Sequence, residues 1–346
     1  MVSVRKLGAL VALAVVVGSL LVGCGGATAP GSGPEAEAPT EVNIAAIYIS
    51  AVEEPWNTSF MQAIERLQED SPHGLTINLD YTENVAPPDA ERVMRQYADA
   101  GKYDIIWGHS GYYDAIMALK DEYSELLWVG AGSGYEPMGD NAYRADVVLH
   151  EPAYLMGIMA GEMTESDRIG AVAAFPYPNV NLPLNAFIDG AKSVNADVEG
   201  QVTYIESWYD PPTAKESASA LVSSGADLIY AERFGPFEAC KEEGVLCFGH
   251  FVDQRSMAPD VVVTCPVALW DPAIEYMIDE WWAYETEGEA YDASGEPVIF
   301  SMAEGGSKLG SVGDMVPDDV MAKVDDAREQ ILSGDLEVPF DEAPIE

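Results

Sequence analysis

The chain predicts an α/β fold in two lobes, each a parallel sheet with helices on both faces. Three observations predict it. Strand-like apolar runs alternate with helical patterns from Val42 onward. The alternation restarts near Ala153 with no linker between the two sets. The folded stretch, residues 42–340, is long enough for two cores of ordinary domain size.

The elements follow in order. Val42 to Ser50 is an apolar strand, and Phe60, Ile64 and Leu67 mark one face of the helix after it. Leu75 to Tyr81 alternates as a strand. Asp89 to Ala100 is helical with Val93, Met94 and Tyr97 on one face, and Tyr103 to Trp107 is a buried strand. Tyr112 to Tyr123 reads as helix and Leu126 to Val129 as strand. The second set runs helix Ala153 to Met163, strand Arg168 to Ala174, helix Asn185 to Val194, strand Gln201 to Ser207 and helix Ala214 to Ser224. It continues with strand Asp227 to Ala231, helix Phe237 to Glu243, and strands Val245 to Phe248 and Val261 to Cys265. Helices at Asp271 to Tyr284 and Pro317 to Leu332 close it. The first lobe is read as residues 42–150 plus a later return segment, the second as 151–265 plus C-terminal segments. Ligands of such sheets bind at the carboxyl ends of the strands. Two facing lobes place those ends in a cleft that hinge motion can close.

The stretch before this body has its own logic. Arg5 and Lys6 precede an apolar run from Leu7 to Val22, short of the roughly 20 residues that span a bilayer comfortably. Leu21-Val22-Gly23-Cys24 resembles a bacterial lipobox, which implies removal of residues 1–23 and lipidation of Cys24. Two or more acyl chains hold a protein on a membrane where one does so only marginally. Residues 24–41 comprise that cysteine and a tether rich in Gly, Pro, Ala, Ser and Glu. The expected location is the extracytoplasmic face of the cell membrane, held by lipid.

Charge narrows the partners. The chain has 17 Lys plus Arg against 59 Asp plus Glu, a formal charge of −42. Such a surface repels nucleic acid and does not steer anionic ligands inward. It fits a high-salt setting, where screening shortens self-repulsion to a few Å, the alternative being an acidic, low-lysine secreted protein in ordinary salt. With Cys24 lipidated, Cys240, Cys247 and Cys265 remain. Cys240 with Cys247, Cys247 with Cys265, or three free thiols all fit the spacing. The scattered His73, His109, His150 and His250 make no metal pattern with them, and neither metal nor cofactor is expected.

The loops after the strands carry the candidate site. They read Glu53-Glu54-Pro55-Trp56-Asn57, Gly108-His109-Ser110-Gly111, Phe175-Pro176-Tyr177-Pro178, Trp208-Tyr209-Asp210-Pro211, Glu232-Arg233-Phe234 and Gly249-His250-Phe251-Val252-Asp253, with Trp270 after Cys265. An aromatic beside a polar group recurs in nearly all of them. That pattern suits a flat heterocyclic ligand in a largely apolar pocket. The candidate contacts are Trp56, Asn57, His109, Ser110, Phe175, Trp208, Phe234, Asp253 and Trp270. Asn57 reads equally as a ligand donor or a loop residue. Arg233 reads as a hold on a ligand edge or as a salt bridge at the cleft rim.

Several segments resemble the basic membrane protein family of type I solute-binding lipoproteins, whose best-known members resemble the purine nucleoside receptor. They are Tyr81-Thr82-Glu83-Asn84-Val85, Asp89-Ala90-Glu91-Arg92-Val93, Tyr154 to Gly161, Phe175-Pro176-Tyr177-Pro178, Asn185-Ala186-Phe187, Gly190 to Asn195, Ser207 to Pro211, Ser224-Gly225-Ala226-Asp227 and Ser333-Gly334-Asp335. The resemblance implies a type I periplasmic-binding-protein fold with two Rossmann-like lobes. It also implies capture of a small ligand outside the cell and delivery to an ABC permease and its ATPase. Trp56 matches a base-stacking aromatic of the family. Asp253 matches the second acid of the family's Gly-x-Asp-x-Asp segment, whose first acid is Phe251 here, and the family's lysine falls near Ala268. Both residues that resemble ribose anchors are therefore absent. That tilts the expected ligand from a nucleoside to a free purine base or similar flat heterocycle.

An enzyme is not expected. Gly108-His109-Ser110-Gly111-Tyr112 sits between a strand and a helix as a nucleophile elbow would, but Tyr112 stands where that pattern needs glycine. Neither His150 nor His250 completes a triad. Adjacent acids such as Glu53-Glu54 are unremarkable among 59 acidic residues. A surface lipoprotein that senses a ligand without transporting it remains a further alternative.

Overall fold

The computed structural model describes residues 38–132, 136–293 and 296–345. The leader and Cys24 lie outside the described residues. The first sheet is parallel throughout, in the order β11-β5-β4-β3-β1-β2, with β1 at Glu41–Tyr48, β2 at Thr76–Thr82, β3 at Ile105–His109, β4 at Leu127–Ala131, β5 at Ala142–Val147 and β11 at Val298–Phe300. Its side chains divide by the period of two that a pleated strand imposes. Ile44, Ala46 and Tyr48 of β1 pack on one face with α1 (Pro55–Asp70) and α8 (Asp271–Glu287). Ala45 and Ile47 pack on the other with α2 (Pro87–Asp99) and α3 (Tyr113–Leu119). Burial on both faces is why β1 reads as a nearly unbroken apolar run.

The second sheet, order β7-β6-β8-β9, is also parallel, with β6 at Arg168–Ala173, β7 at Glu199–Tyr204, β8 at Leu228–Ala231 and β9 at Leu246–Phe248. Ile169, Ala171 and Ala173 of β6 face α4 (His150–Met163), α5 (Pro178–Val194) and α9 (Asp318–Ser333). Val172 faces α6 (Pro211–Ser223) and α7 (Pro236–Glu243). The α4–α5 crossing is close because Gly157 and Gly190 meet there; a Cβ on either would overlap the facing backbone, at Phe187 O or Tyr154 O respectively.

The chain passes between lobes after β5, again between β9 and α8, and a third time after β11, beyond which α9 joins the second core. A two-stranded antiparallel ribbon of β10 (Pro266–Ala268) and β12 (Ser307–Leu309) lies along these crossings. Helices α1, α2, α5, α6, α7 and α8 each carry proline in their first two positions, where the missing N–H is not needed and the fixed φ suits a helix start.

Some expectations shift. The strand expected at Val261 to Cys265 does not form as one. This segment touches β9 through a bridge from Val262 to Cys247 and then departs for β10, because β9 offers only three residues to pair with. Helix α5 starts at Pro178 rather than Asn185, since Pro178 opens it and an internal Pro183 does not stop it. Strands β5, β10, β11 and β12 were not legible: three of them span three residues each, and β5 holds Arg144 and Asp146 within a buried run. Cys240 and Cys247 form a disulfide that ties the end of α7 to β9, and Cys265 is free and buried.

Candidate functional site

Between the carboxyl ends of the two sheets lies a cavity of about 340 Å³. The first lobe lines it with Ile49 and Ser50 beyond β1, Glu54 and Trp56 at the start of α1, Ser110 beyond β3 and Gly132 beyond β4. Tyr177, Asn179 and Val180 at the start of α5, Trp208 beyond β7, and Glu232 and Arg233 beyond β8 line it from the second. Phe251, on the crossing after β9, completes the wall.

Trp56 is held from behind by a stack of rings. The His109 imidazole lies nearly parallel to it, centroids 4.8 Å apart at 24°. Trp270 and Phe251 meet it edge-on at 5.0 and 5.1 Å. The indole Nε1 donates to the His109 carbonyl at 3.1 Å. His109 Nδ1 accepts from Trp107 Nε1 at 3.1 Å, which leaves the proton on Nε2, and that nitrogen donates to the Trp56 carbonyl at 3.2 Å. Burial pulls the His109 pKa down to about 3, so the ring is neutral and serves as a rigid backing. Gly132, at φ 91°, lies against the far edge of the indole, where a side chain would be both strained and in the way.

Across the cleft, Trp208 packs against Phe175 at 5.0 Å, and Phe175 stacks on Tyr177 at 5.3 Å. The two lobes therefore each bring an indole to the cavity.

The charged part is a buried triad. Arg233 donates to Glu232 through Nη2 to Oε1 at 2.6 Å and Nε to Oε2 at 2.9 Å. Its Nη1 donates to Glu54 Oε1 at 3.2 Å and to the Trp208 carbonyl at 3.0 Å. Glu232 Oε2 also accepts from the Ala174 N–H, and Glu54 Oε2 from the Trp56 N–H at the start of α1. All three residues are at most 7% exposed. Burial pushes the carboxyls of Glu54 and Glu232 up from the usual range, and the guanidinium opposes it. Arg233 is thus a salt bridge, seated in the cavity wall rather than at its rim.

Of the expected contacts, Trp56, Ser110 and Trp208 line the cavity. His109, Trp270 and Phe175 stand one layer behind as supports. Asn57 is fully buried, and its amide donates to Ala51 O and to Ser50 O and Oγ, shaping the loop after β1. Phe234 packs on Tyr209. The Asp253 carboxylate accepts from the Ser311 and Arg255 N–H groups, away from the cavity. Among the described residues no His, Cys, Asp or Glu cluster fit for a metal forms. Reasoning from sequence passed over Glu54, Tyr177 and Asn179. Glu54 and Tyr177 sit in loops already singled out, and Asn179 follows one of them in the first turn of α5, but the role of each depends on which side faces the cleft. Asn179 Oδ1 is buried and accepts no hydrogen bond from the protein.

The comparisons fit this geometry. A solute-binding protein of an ABC transporter from Conexibacter woesei superposes with a TM-score of 0.68 at 24% identity, covering 86% of this chain and 98% of its own. One from Aeropyrum pernix does so with 0.68 at 19%, over 87% and 94%. These likenesses show the periplasmic-binding-protein fold. In sequence, a Haloferax volcanii protein provisionally named as a glucose-binding ABC transporter protein is 34% identical over 90% of this chain and 77% of its own. A purine-binding protein of Brucella abortus is 29% identical over 89% and 85%. Residues 42–342 match the model of a family of binding proteins rather than enzymes, and the chain belongs to that family, the PnrA-like ABC transporter substrate-binding proteins.

Proposed function

We propose that the chain captures a purine base or similar flat heterocycle between its lobes outside the cell and hands it to an ABC permease and ATPase. The pair of indoles lining one cavity from opposite lobes, Trp56 and Trp208, carries this reading. A base sandwiched by such rings gains about 1–3 kcal/mol per aromatic contact. Ser110, Ser50, the unpartnered Asn179 Oδ1 and the lone pairs that Glu54 and Glu232 keep outside the triad are polar groups that can orient it. Lipid attachment at Cys24 would keep the protein beside its permease.

Two alternatives are weighed by the same cavity. A nucleoside would need partners for its ribose hydroxyls. The two positions that correspond to the family's apparent ribose anchors hold Phe251 and Ala268, joined by a backbone hydrogen bond from Ala268 N to Phe251 O. Glucose, which the Haloferax relative's name specifies, has five hydroxyls to satisfy. Arg233 spends four of its five N–H donors inside the triad and on the Trp208 carbonyl, so few donors are left for hydroxyl oxygens, and each unmet buried hydroxyl costs about 1–3 kcal/mol. A thermal-shift screen of purine and pyrimidine bases, their nucleosides and sugars tests the reading. A ligand at about 100 times its Kd adds roughly 2.7 kcal/mol of stability. A response to free bases and not to nucleosides or sugars is expected; a response to glucose alone refutes the base reading.

A further inference from the structure

We propose that Glu54, Glu232 and Arg233 set the charge class of the ligand: the site accepts uncharged or cationic N–H donors and rejects anions. The inference deepens the reading of a heterocycle-binding site, but its charge argument holds for any ligand of this cavity.

The three are the charged side chains lining the cavity. Two carboxylates against one guanidinium leave it one negative charge in excess. Four of the five N–H donors of the guanidinium, the group that would welcome an anion, are committed. Its Nε hydrogen goes to Glu232, one Nη2 hydrogen goes to Glu232, and its two Nη1 hydrogens go to Glu54 and to the Trp208 carbonyl. Arg233 is also fixed over the Trp208 ring, 5.7 Å from its centroid, so it cannot swing to a ligand without leaving both its carboxylates and its stacking surface.

The neighbours add no positive charge. His109 behind Trp56 is neutral, and burial together with Arg233 holds His250 neutral beside Glu232. Asn179 Oδ1, the buried atom of the lining that lacks a partner, is an acceptor. A ligand edge bearing N–H groups meets carboxylate lone pairs and an amide oxygen. A carboxylate, phosphate or enolate edge meets the same atoms with the wrong sign, and like-charge contact in a buried site works against binding. The outer field, from a chain of charge −42, points the same way.

The test is a calorimetric titration of the full chain near neutral pH with two matched pairs, hypoxanthine against urate and glucose against glucuronate. In each pair one member is neutral and the other an anion of similar shape. The expected result is that hypoxanthine binds and urate binds at least about a hundredfold more weakly. Shape alone could produce such a gap, so the same pair is measured on Glu54→Gln and Glu232→Gln. Either amide keeps a hydrogen-bond acceptor while removing one negative charge, and the gap should narrow by about tenfold in whichever variant folds. Urate within tenfold of hypoxanthine, or a gap unchanged in both variants, overturns the charge inference while leaving the purine reading intact. If glucose binds and hypoxanthine does not, the purine reading falls alone. Rejection of glucuronate, relieved by the same variants, then supports the charge inference, and equal binding of glucuronate overturns it. Silence from all four ligands overturns both.

Discussion

Arg233 Nη1 lies 3.2 Å from Glu54 Oε1, joining a loop of the second lobe to the N-cap of a helix in the first. The contact spans the cleft, so any opening of the lobes has to break it. Glu232 grips the same guanidinium from within the second lobe, so Arg233 stays in place whether the lobes meet or not. Removing Arg233 strands two buried carboxylates, and breaking such a pair costs about 3–5 kcal/mol. Arg233→Met should therefore lower the unfolding free energy by that order in a denaturant titration. Glu54→Gln is milder. It keeps the start of α1 and weakens only the cross-cleft bond, so its effect should appear as a larger radius of gyration without ligand and a Kd raised about tenfold, the reduced closed fraction scaling apparent affinity directly.

Trp56→Ala should weaken ligand binding by at least about tenfold, the measured worth of one aromatic stack. The rings behind it are anchored independently: Trp270 by its bond to Ser59 Oγ, His109 by Trp107. The unliganded protein should thus retain its far-ultraviolet dichroism. An unchanged Kd in the variant would take Trp56 out of the site.

How much of this was legible is best seen in particular residues. The alternation of β and α was visible because both sheets are buried on two faces, so β1 and β6 are plain apolar runs. The loops that build the cavity were visible too, since strand ends in such sheets are where ligands bind. Direction within a loop was not. Glu54 and Asn57 lie three residues apart, yet one lines the cavity and the other is spent on the backbone of Ser50 and Ala51. Asp253 matched a family pattern while its carboxylate caps N–H groups of Arg255 and Ser311. The Arg233 bridge to Glu54 connects residues 179 positions apart, and no local pattern encodes such a pairing.

The membrane attachment proposed for Cys24 rests on sequence alone, and no helix among the described residues is long and apolar enough to cross a membrane. Cys24→Ser should shift the protein from the membrane pellet to the soluble fraction on ultracentrifugation of expressing cells. Persistent pelleting would mean that the apolar leader itself is the anchor.

The Cys240–Cys247 disulfide closes a loop of sequence separation 7 in a core cluster distinct from the cavity lining. Short loops restrain the unfolded chain modestly, so Cys240→Ala with Cys247→Ala should cost roughly 2 kcal/mol of stability. Ligand affinity should stay within about twofold, since no lining residue moves. Cys265 is buried and its thiol pKa is pushed up to about 12 by that burial. It should react with a thiol reagent only under denaturing conditions, which a mass-shift assay in native buffer would check.

His109 predicts an acid sensitivity of definite sign. Its pKa falls from 6.5 to about 3 on folding because its fully buried ring loses solvation that the charged form needs. Below pH 6.5 the unfolded chain takes up a proton there and the folded chain does not. Protons then favour unfolding, and stability drops by about 1.4 kcal/mol per pH unit from this group. The loss ends near pH 3, where the folded form protonates too. Between pH 6.5 and pH 5 the contribution amounts to about 2 kcal/mol. Buried Glu54 and Glu232, whose carboxyls are shifted upward, act in the opposite direction, so the total curve mixes both signs. Subtracting the curve of His109→Gln from that of the wild type isolates the histidine, because glutamine can still accept from Trp107 Nε1 and donate to the Trp56 carbonyl without titrating. The difference in urea unfolding free energy should grow in the variant's favour as pH falls from 7 to 5. A difference that is flat across that window would mean that the imidazole takes up its proton in place as readily as in the unfolded chain, so that the backing of Trp56 becomes charged as the pH falls.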